Sequence, residues 1–199
     1  MTAYNTPSHT QQFETEVKRS RFITTVASVA SKDEAKAFVA TMRSTFPDAN
    51  HHCWAVICGG TDQAQHHDQS DDGEPKGTAG KPMLNVLQHA GLGNTIVVVT
   101  RYFGGIKLGA GGLVRAYTRA VSEALKTLET HTVRLTTPLT IELPYTVLDS
   151  FEHWVVPLHT EVVKKTYTES VRLQLSVPEA EQAAVVKRVR ELGGTVAAA

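Results

Sequence analysis

Apolar and polar positions along the chain recur with periods that predict its elements. From Phe13 to Val29 the pattern suits two strands about a basic turn, Lys18 to Arg21. Ser31, with Glu34 three positions on, forms a capping box, and Ala35, Phe38, Val39 and Met42 then recur at helical spacing as far as Pro47. His52 to Cys58 and Thr95 to Phe103 read as strands, the second apolar on both faces. One helix is predicted from Pro82, carrying Met83, Leu84, Val86 and Leu87. Another is predicted from about Leu113 to Leu128, with Val114, Tyr117, Val121, Ala124, Leu125 and Leu128 on one stripe. Residues Met1 to Gln12 read as a loose arm, and Thr61 to Gly80 as a long loop of the kind that is functional or mobile.

The character changes between Arg134 and Pro138. Leu139, Ile141 and Leu143 alternate as in a half-buried strand, and so do Val171, Leu173, Leu175 and Val177. Val162 to Tyr167 is a further strand, and Thr195 to Ala199 reads as a last one. Val147, Leu148, Phe151, Trp154 and Val155 make a helical stripe ended by Pro157. A second helix has Pro178 inside its start and Gly193-Gly194 past its end. This β-α-β-β-α-β order is that of a ferredoxin-like domain. The expected class is α+β, with one domain over residues 1–134 and a second over 135–199.

Composition narrows the field only slightly. The 199 residues are 41% apolar and 20% charged with zero formal net charge, so any anion-binding site must be a local patch. Such a patch is visible: from Asn94 to Arg119 the chain carries Arg101, Lys107, Arg115 and Arg119 and no acid. Cys53 and Cys58 are the only cysteines, which fits a reducing compartment, and no run is long enough to cross a bilayer. A cytoplasmic protein without a membrane segment is expected.

The segment from Ser70 to Pro82, with Asp71, Asp72, Glu74, Lys76 and Lys81, invites three ligand motifs and fails each. Pro75 and Pro82 stand where a Walker loop needs glycine and a hydroxyl. A calcium loop counted from Asp68 has Ala79 at its twelfth position. A dinucleotide fingerprint over "GAGGLV" has Val114 in place of its last glycine. The histidine clusters lack metal-site spacing, so neither metal nor cofactor is expected. What survives is two glycine loops that each run into a helix, offering N–H groups to an anion: Thr78 and Gly80 beside Lys81, and Gly111 and Gly112 beside Arg115. The other reading has Asp71, Asp72 or Glu74 supplying that anion internally, or pairing with the bases from Gly104 to Arg115. Aromatics Tyr102, Phe103 and Tyr117 among the bases suit single-stranded nucleic acid.

"SDDGEPKGTAGKPML" followed by "VVVTRYFGGIKLGAGGLVRAY", with "KRSRFI" and "HHCWA" before them, resembles the signature of the IMPACT family, in particular its bacterial members. The resemblance implies an N-terminal domain of the ribosomal-protein-S5 domain 2 type. It also implies a C-terminal ferredoxin-like domain similar to late domains of elongation factor G. The eukaryotic members are translation regulators that carry an additional RWD domain, which has no counterpart in this sequence. Two functions are therefore expected. One is a non-catalytic, translation-linked protein that binds RNA, the ribosome or a translation factor through Arg101, Lys107, Arg115 and Arg119 with the glycine loops. Arg21, Lys76 and Lys81 are weaker additions. The other is an enzyme for a phosphorylated or anionic small molecule, with Asp71, Asp72 and Glu74 as acid–base or metal-binding groups.

Overall fold

A computed structural model of the protein describes residues 3–60 and 66–197. They form two compact units, the second beginning at Arg134.

In the first unit, β1 (Ala3–Pro7) pairs with β7 (Thr130–Arg134) as a two-stranded ribbon. Most of the described part of the expected loose arm is therefore strand, with residues 8–10 joining β1 to β2; residues 1 and 2 lie outside the description. The main sheet has five antiparallel strands in the order β2 (Gln11–Val17), β3 (Ser20–Ser28), β6 (Thr95–Tyr102), β4 (His51–Cys58) and β5 (His66–Ser70). Lys18 and Arg19 take positive φ at the β2–β3 turn, matching the twist of a tight hairpin. β5 corrects the expectation of a loop from Thr61 to Gly80, of which residues 61–65 lie outside the description.

Both faces of the sheet are covered, and strand parity decides which residue goes where. Phe22, Val26, Cys53, Ala55, Val97 and Val99 face α2 (Gly80–His89) and α3 (Ala110–Lys126). Ala27, Val56, Cys58, Ile96 and Val98 face α1 (Lys32–Thr45). Ser31 caps α1 by accepting the Glu34 N–H, and the Glu34 carboxylate reaches back to the Ala30 N–H. α3 begins at Ala110 rather than near Leu113, so Gly111 and Gly112 are helical. Its buried stripe is Leu113, Ala116, Tyr117, Ala120, Val121 and Ala124, one step round from the stripe expected through Val114, Leu125 and Leu128.

In the second unit, β8 (Thr136–Leu143), β9 (Glu161–Tyr167), β10 (Val171–Pro178) and β11 (Thr195–Val196) form an antiparallel sheet ordered β11-β8-β10-β9. α4 (Leu148–Val155) and α5 (Gln182–Glu191) pack on one face through Phe151, Val155, Val185 and Val189. This is the ferredoxin-like arrangement. Pro178 ends β10, and a 3₁₀ turn at Glu179–Glu181 separates it from α5, so it is not inside the helix start. Residues 198 and 199 of the expected last strand lie outside the description.

Candidate functional site

The loop between β5 and α2 is built around its acids. The Asp71 carboxylate accepts the N–H groups of Gly77 (2.7 Å), Ala79 (3.0 Å) and Gly80 (2.9 Å). Burial alone would raise the Asp71 pKa; the three N–H donors outweigh it and hold the carboxyl below its usual range. The amino end of α2 thus has its anion already. Thr78 is buried and its hydroxyl donates to the Pro75 carbonyl at 2.6 Å. Thr78 and Gly80 are therefore not open to an external anion, which corrects that expectation in favour of an internal acid.

Asp72 pairs with Arg43 of α1 and accepts the His52 N–H at 2.5 Å. Burial, with Arg43 nearby, outweighs Asp72 and lowers the His52 pKa. Glu74 goes deepest, its side chain only 4% exposed. Its Oε1 accepts Arg101 Nη1 at 2.6 Å and the Tyr117 hydroxyl at 2.8 Å. Arg101 Nη2 reaches Ser20 Oγ at 3.3 Å, and the guanidinium lies between the rings of Phe22 and Phe103, 5.4 and 5.7 Å from their centroids. Tyr117 also meets Phe22 edge-on at 5.3 Å. Cys53 Sγ lies 3.0 Å from the Asp71 carbonyl and 3.3 Å from Tyr117 Oη. Burial pushes the Cys53 thiol up to about 12 and raises the Tyr117 phenol, so both stay protonated.

This network corrects the place given to Arg101. It is 5% exposed and ion-paired, so it is no surface contact for a polyanion. It also corrects the pairing expected for the acids: none of Asp71, Asp72 and Glu74 pairs with Lys107 or Arg115. Two of the three carboxylates named for acid–base work are consumed by structure, and Glu74 alone opens onto a cavity.

That cavity measures about 360 Å³ and lies between Glu74, Arg101, Phe103, Lys107 and the first residues of α3. Gly109 caps α3 with φ 72°, a conformation that favours glycine. No side chain caps this end and its first turn holds no acid. A second groove, about 310 Å³, runs beside it along α3 and brings Lys18 of the β2–β3 turn to Arg115 and Arg119. The loop after β6 presses on that turn: a Cβ on Gly104 would collide with the Arg19 backbone, so only glycine fits. Lys18, Arg19, Lys107, Arg115 and Arg119 are all exposed, and none forms an ion pair with an acid among the described residues.

Of the predicted site residues, Lys107, Arg115, Arg119, Gly111 and Gly112 are therefore brought together, with Arg101 beneath them. Lys81 is exposed but faces a separate groove beside Asn85 and His89. Arg21 is tied to Glu14 at 2.8 Å. Sequence reasoning missed Lys18 and Arg19 as members of the face. The basic turn was visible; its approach to Gly104 was not. His51, weighed from sequence only as a metal ligand, has its Nδ1 2.8 Å from the Asp72 carbonyl. Among the described residues no group of His, Cys, Asp and Glu is arranged to hold a metal ion, and no helix is long and apolar enough to cross a membrane.

The fold and site define a two-unit α+β protein whose N-terminal unit presents a basic face around a buried Glu–Arg–Tyr network. The Impact N-terminal domain matches residues 18–125, and a domain of unknown function, DUF1949, matches residues 141–194. The chain is 43% identical over 168 residues to the IMPACT family member YigZ of Escherichia coli, covering 84% of this chain and 82% of that protein. It is 35% identical over 94 residues to the Protein IMPACT homolog of Saccharomyces cerevisiae, 45% of this chain and 35% of that one. A crystal structure described as that of a hypothetical protein superposes with a TM-score of 0.73 at 37% identity, covering 100% of this chain and 98% of the other. The chain belongs to the IMPACT family.

Proposed function

We propose that this protein is a non-catalytic regulatory protein linked to translation, and that it binds RNA through the groove between the β2–β3 turn and α3. The observation that carries the RNA part is the set of exposed bases along that groove, Lys18, Arg115 and Arg119, none paired with an acid among the described residues. Bases left unpaired on one face of a chain with zero net charge mark a local site for phosphates. The link to translation comes with the family, whose eukaryotic members regulate it.

The test measures binding of a short single-stranded RNA against salt concentration. Phosphate contacts make affinity fall steeply as salt rises. Replacing Lys18, Arg115 and Arg119 together by Ala should weaken binding and flatten the log–log salt slope by about 2, near 0.7 for each phosphate no longer neutralised. Unchanged affinity and slope in that triple variant would remove the groove from the reading.

A further inference from the structure

We propose that the cavity at the amino end of α3 binds a single nucleotide unit: its phosphate on Lys107 and the α3 N–H groups, its base against Phe103, and a base N–H donated to Glu74. The cavity lies beside the RNA groove and shares only Leu108 with its lining, so its polar groups are its own and the proposal does not depend on that groove.

Three independent features point to this chemistry. The first is the uncompensated α3 end. Its leading N–H groups have no side-chain acceptor, no acid sits in the first turn, and Lys107 stands at the rim. Backbone donors and a cation together select an anion.

The second is Glu74, which a bare anion would not need. Its Oε1 is shared by Arg101 and Tyr117, but no donor among the described residues bonds Oε2; His51 Nε2 stands 3.9 Å from it. The side chain is 4% exposed and lines the cavity. The carboxylate opens onto the cavity, and a ligand N–H placed there would give Oε2 the donor it lacks among the described residues. Arg101 adds to the polar demand, since its buried Nε has no partner.

The third is Phe103, an aromatic ring left 46% exposed at the cavity rim. Its backbone N–H is held by Asn50 Oδ1 at 2.7 Å, and its ring covers the Arg101 guanidinium. A fixed aromatic face backed by a planar cation is a stacking platform for a base. Phosphate donors, an acceptor for a base edge and a stacking face together describe a nucleotide. The volume sits at the lower end of the range usual for small-ligand pockets.

The experiment is calorimetric titration of the whole protein with each of the four ribonucleoside 5′-monophosphates, with ribose 5-phosphate, inorganic phosphate and unphosphorylated nucleosides as comparisons. At least one monophosphate should bind more tightly than phosphate, ribose 5-phosphate or its own nucleoside. Phe103→Ala should weaken it about tenfold, the usual loss of one stacked base. Lys107→Ala should weaken it about fivefold. Both residues are exposed, so both variants should fold. The proposal is overturned if no monophosphate binds, if phosphate or ribose 5-phosphate binds equally well, or if neither variant matters. A 5′-phosphorylated oligonucleotide that competes identifies a chain terminus as the source of the unit; no competition identifies the free nucleotide. The Lys18, Arg115 and Arg119 triple variant keeps the two readings apart. Nucleotide binding that survives in it while RNA binding is lost supports the cavity as a separate site, and nucleotide binding lost in parallel overturns that.

Discussion

Helices α2 and α3 pack side by side on one face of the five-stranded sheet, and each begins after a glycine-bearing loop. At α2 the chain supplies its own anion, Asp71, brought back from the end of β5 onto three N–H groups. At α3 it supplies none, and adds Lys107 and Arg115 close by. A cation beside a helix amino end opposes the dipole by about 0.3–1 kcal/mol. The first loop therefore reads as architecture and the second as a place kept ready for something negative. Glu74 joins them: it leaves the α2 loop and buries its carboxylate against Tyr117 of α3 and Arg101 of β6.

The severest way to break this comparison is to remove the joint. Glu74→Ala leaves Arg101 buried without its counter-charge and the Tyr117 hydroxyl without its acceptor. Removing one partner of a buried pair costs about 3–5 kcal/mol, so the urea midpoint should fall sharply. Glu74→Gln keeps an acceptor for Tyr117 and should recover part of the loss. A loss below about 1 kcal/mol in Glu74→Ala would mean the cavity lets water solvate Arg101, and that the network is less dry than its burial suggests.

Next in size is the α2 cap itself. Asp71→Ala orphans three N–H groups that now share a charged acceptor, and should cost about 2 kcal/mol, with faster amide exchange at Gly77, Ala79 and Gly80. Acid should imitate it. The folded pKa of Asp71 is depressed, so its contribution is present above the unfolded value of about 3.9 and is lost as pH falls through the folded one. The stability gap between the protein and Asp71→Ala should therefore be constant near neutrality and close in strong acid. A gap that does not narrow at all as pH falls below the unfolded value of about 3.9 would assign the effect to packing rather than to charge.

Much of this was written in local sequence. The second unit was legible because its strands alternate cleanly and its turns carry Pro and Gly. β5 was not, because His66 to Ser70 is an edge strand that is polar on both sides and so has no hydrophobic period. The bases of α3 were legible as a run without acids, but their sorting was not. Arg101 follows Val97 and Val99 in strand parity, which was the available signal that it points under α3 and not outward. The cap on α2 was beyond local reading: Asp71 lies nine residues before Gly80, and a capping box looks only three ahead. Nor could any local pattern place Lys18 beside Arg115, since the backbone approach at Gly104 that joins those loops spans most of the unit.

The smallest expected effect tests the comparison most directly, by giving α3 what α2 already has. Gly111 is the second helical residue after the Gly109 cap, and a Cβ there meets nothing nearer than Arg115 Nη1 at 3.8 Å. Gly111→Asp places a carboxylate where the dipole favours one and should stabilise the protein by about 0.3–1 kcal/mol over Gly111→Asn, which matches its size without the charge. The difference should shrink in about 1 M salt, because the Debye length there falls to roughly 3 Å. The same carboxylate would repel a phosphate, so Gly111→Asp should lose nucleotide binding while Gly111→Asn keeps it. If Asp stabilises no more than Asn, the field at the amino end of α3 is already answered, and the nearest candidate is Glu74 across the cavity. The two helices would then differ only in how far away their acid stands.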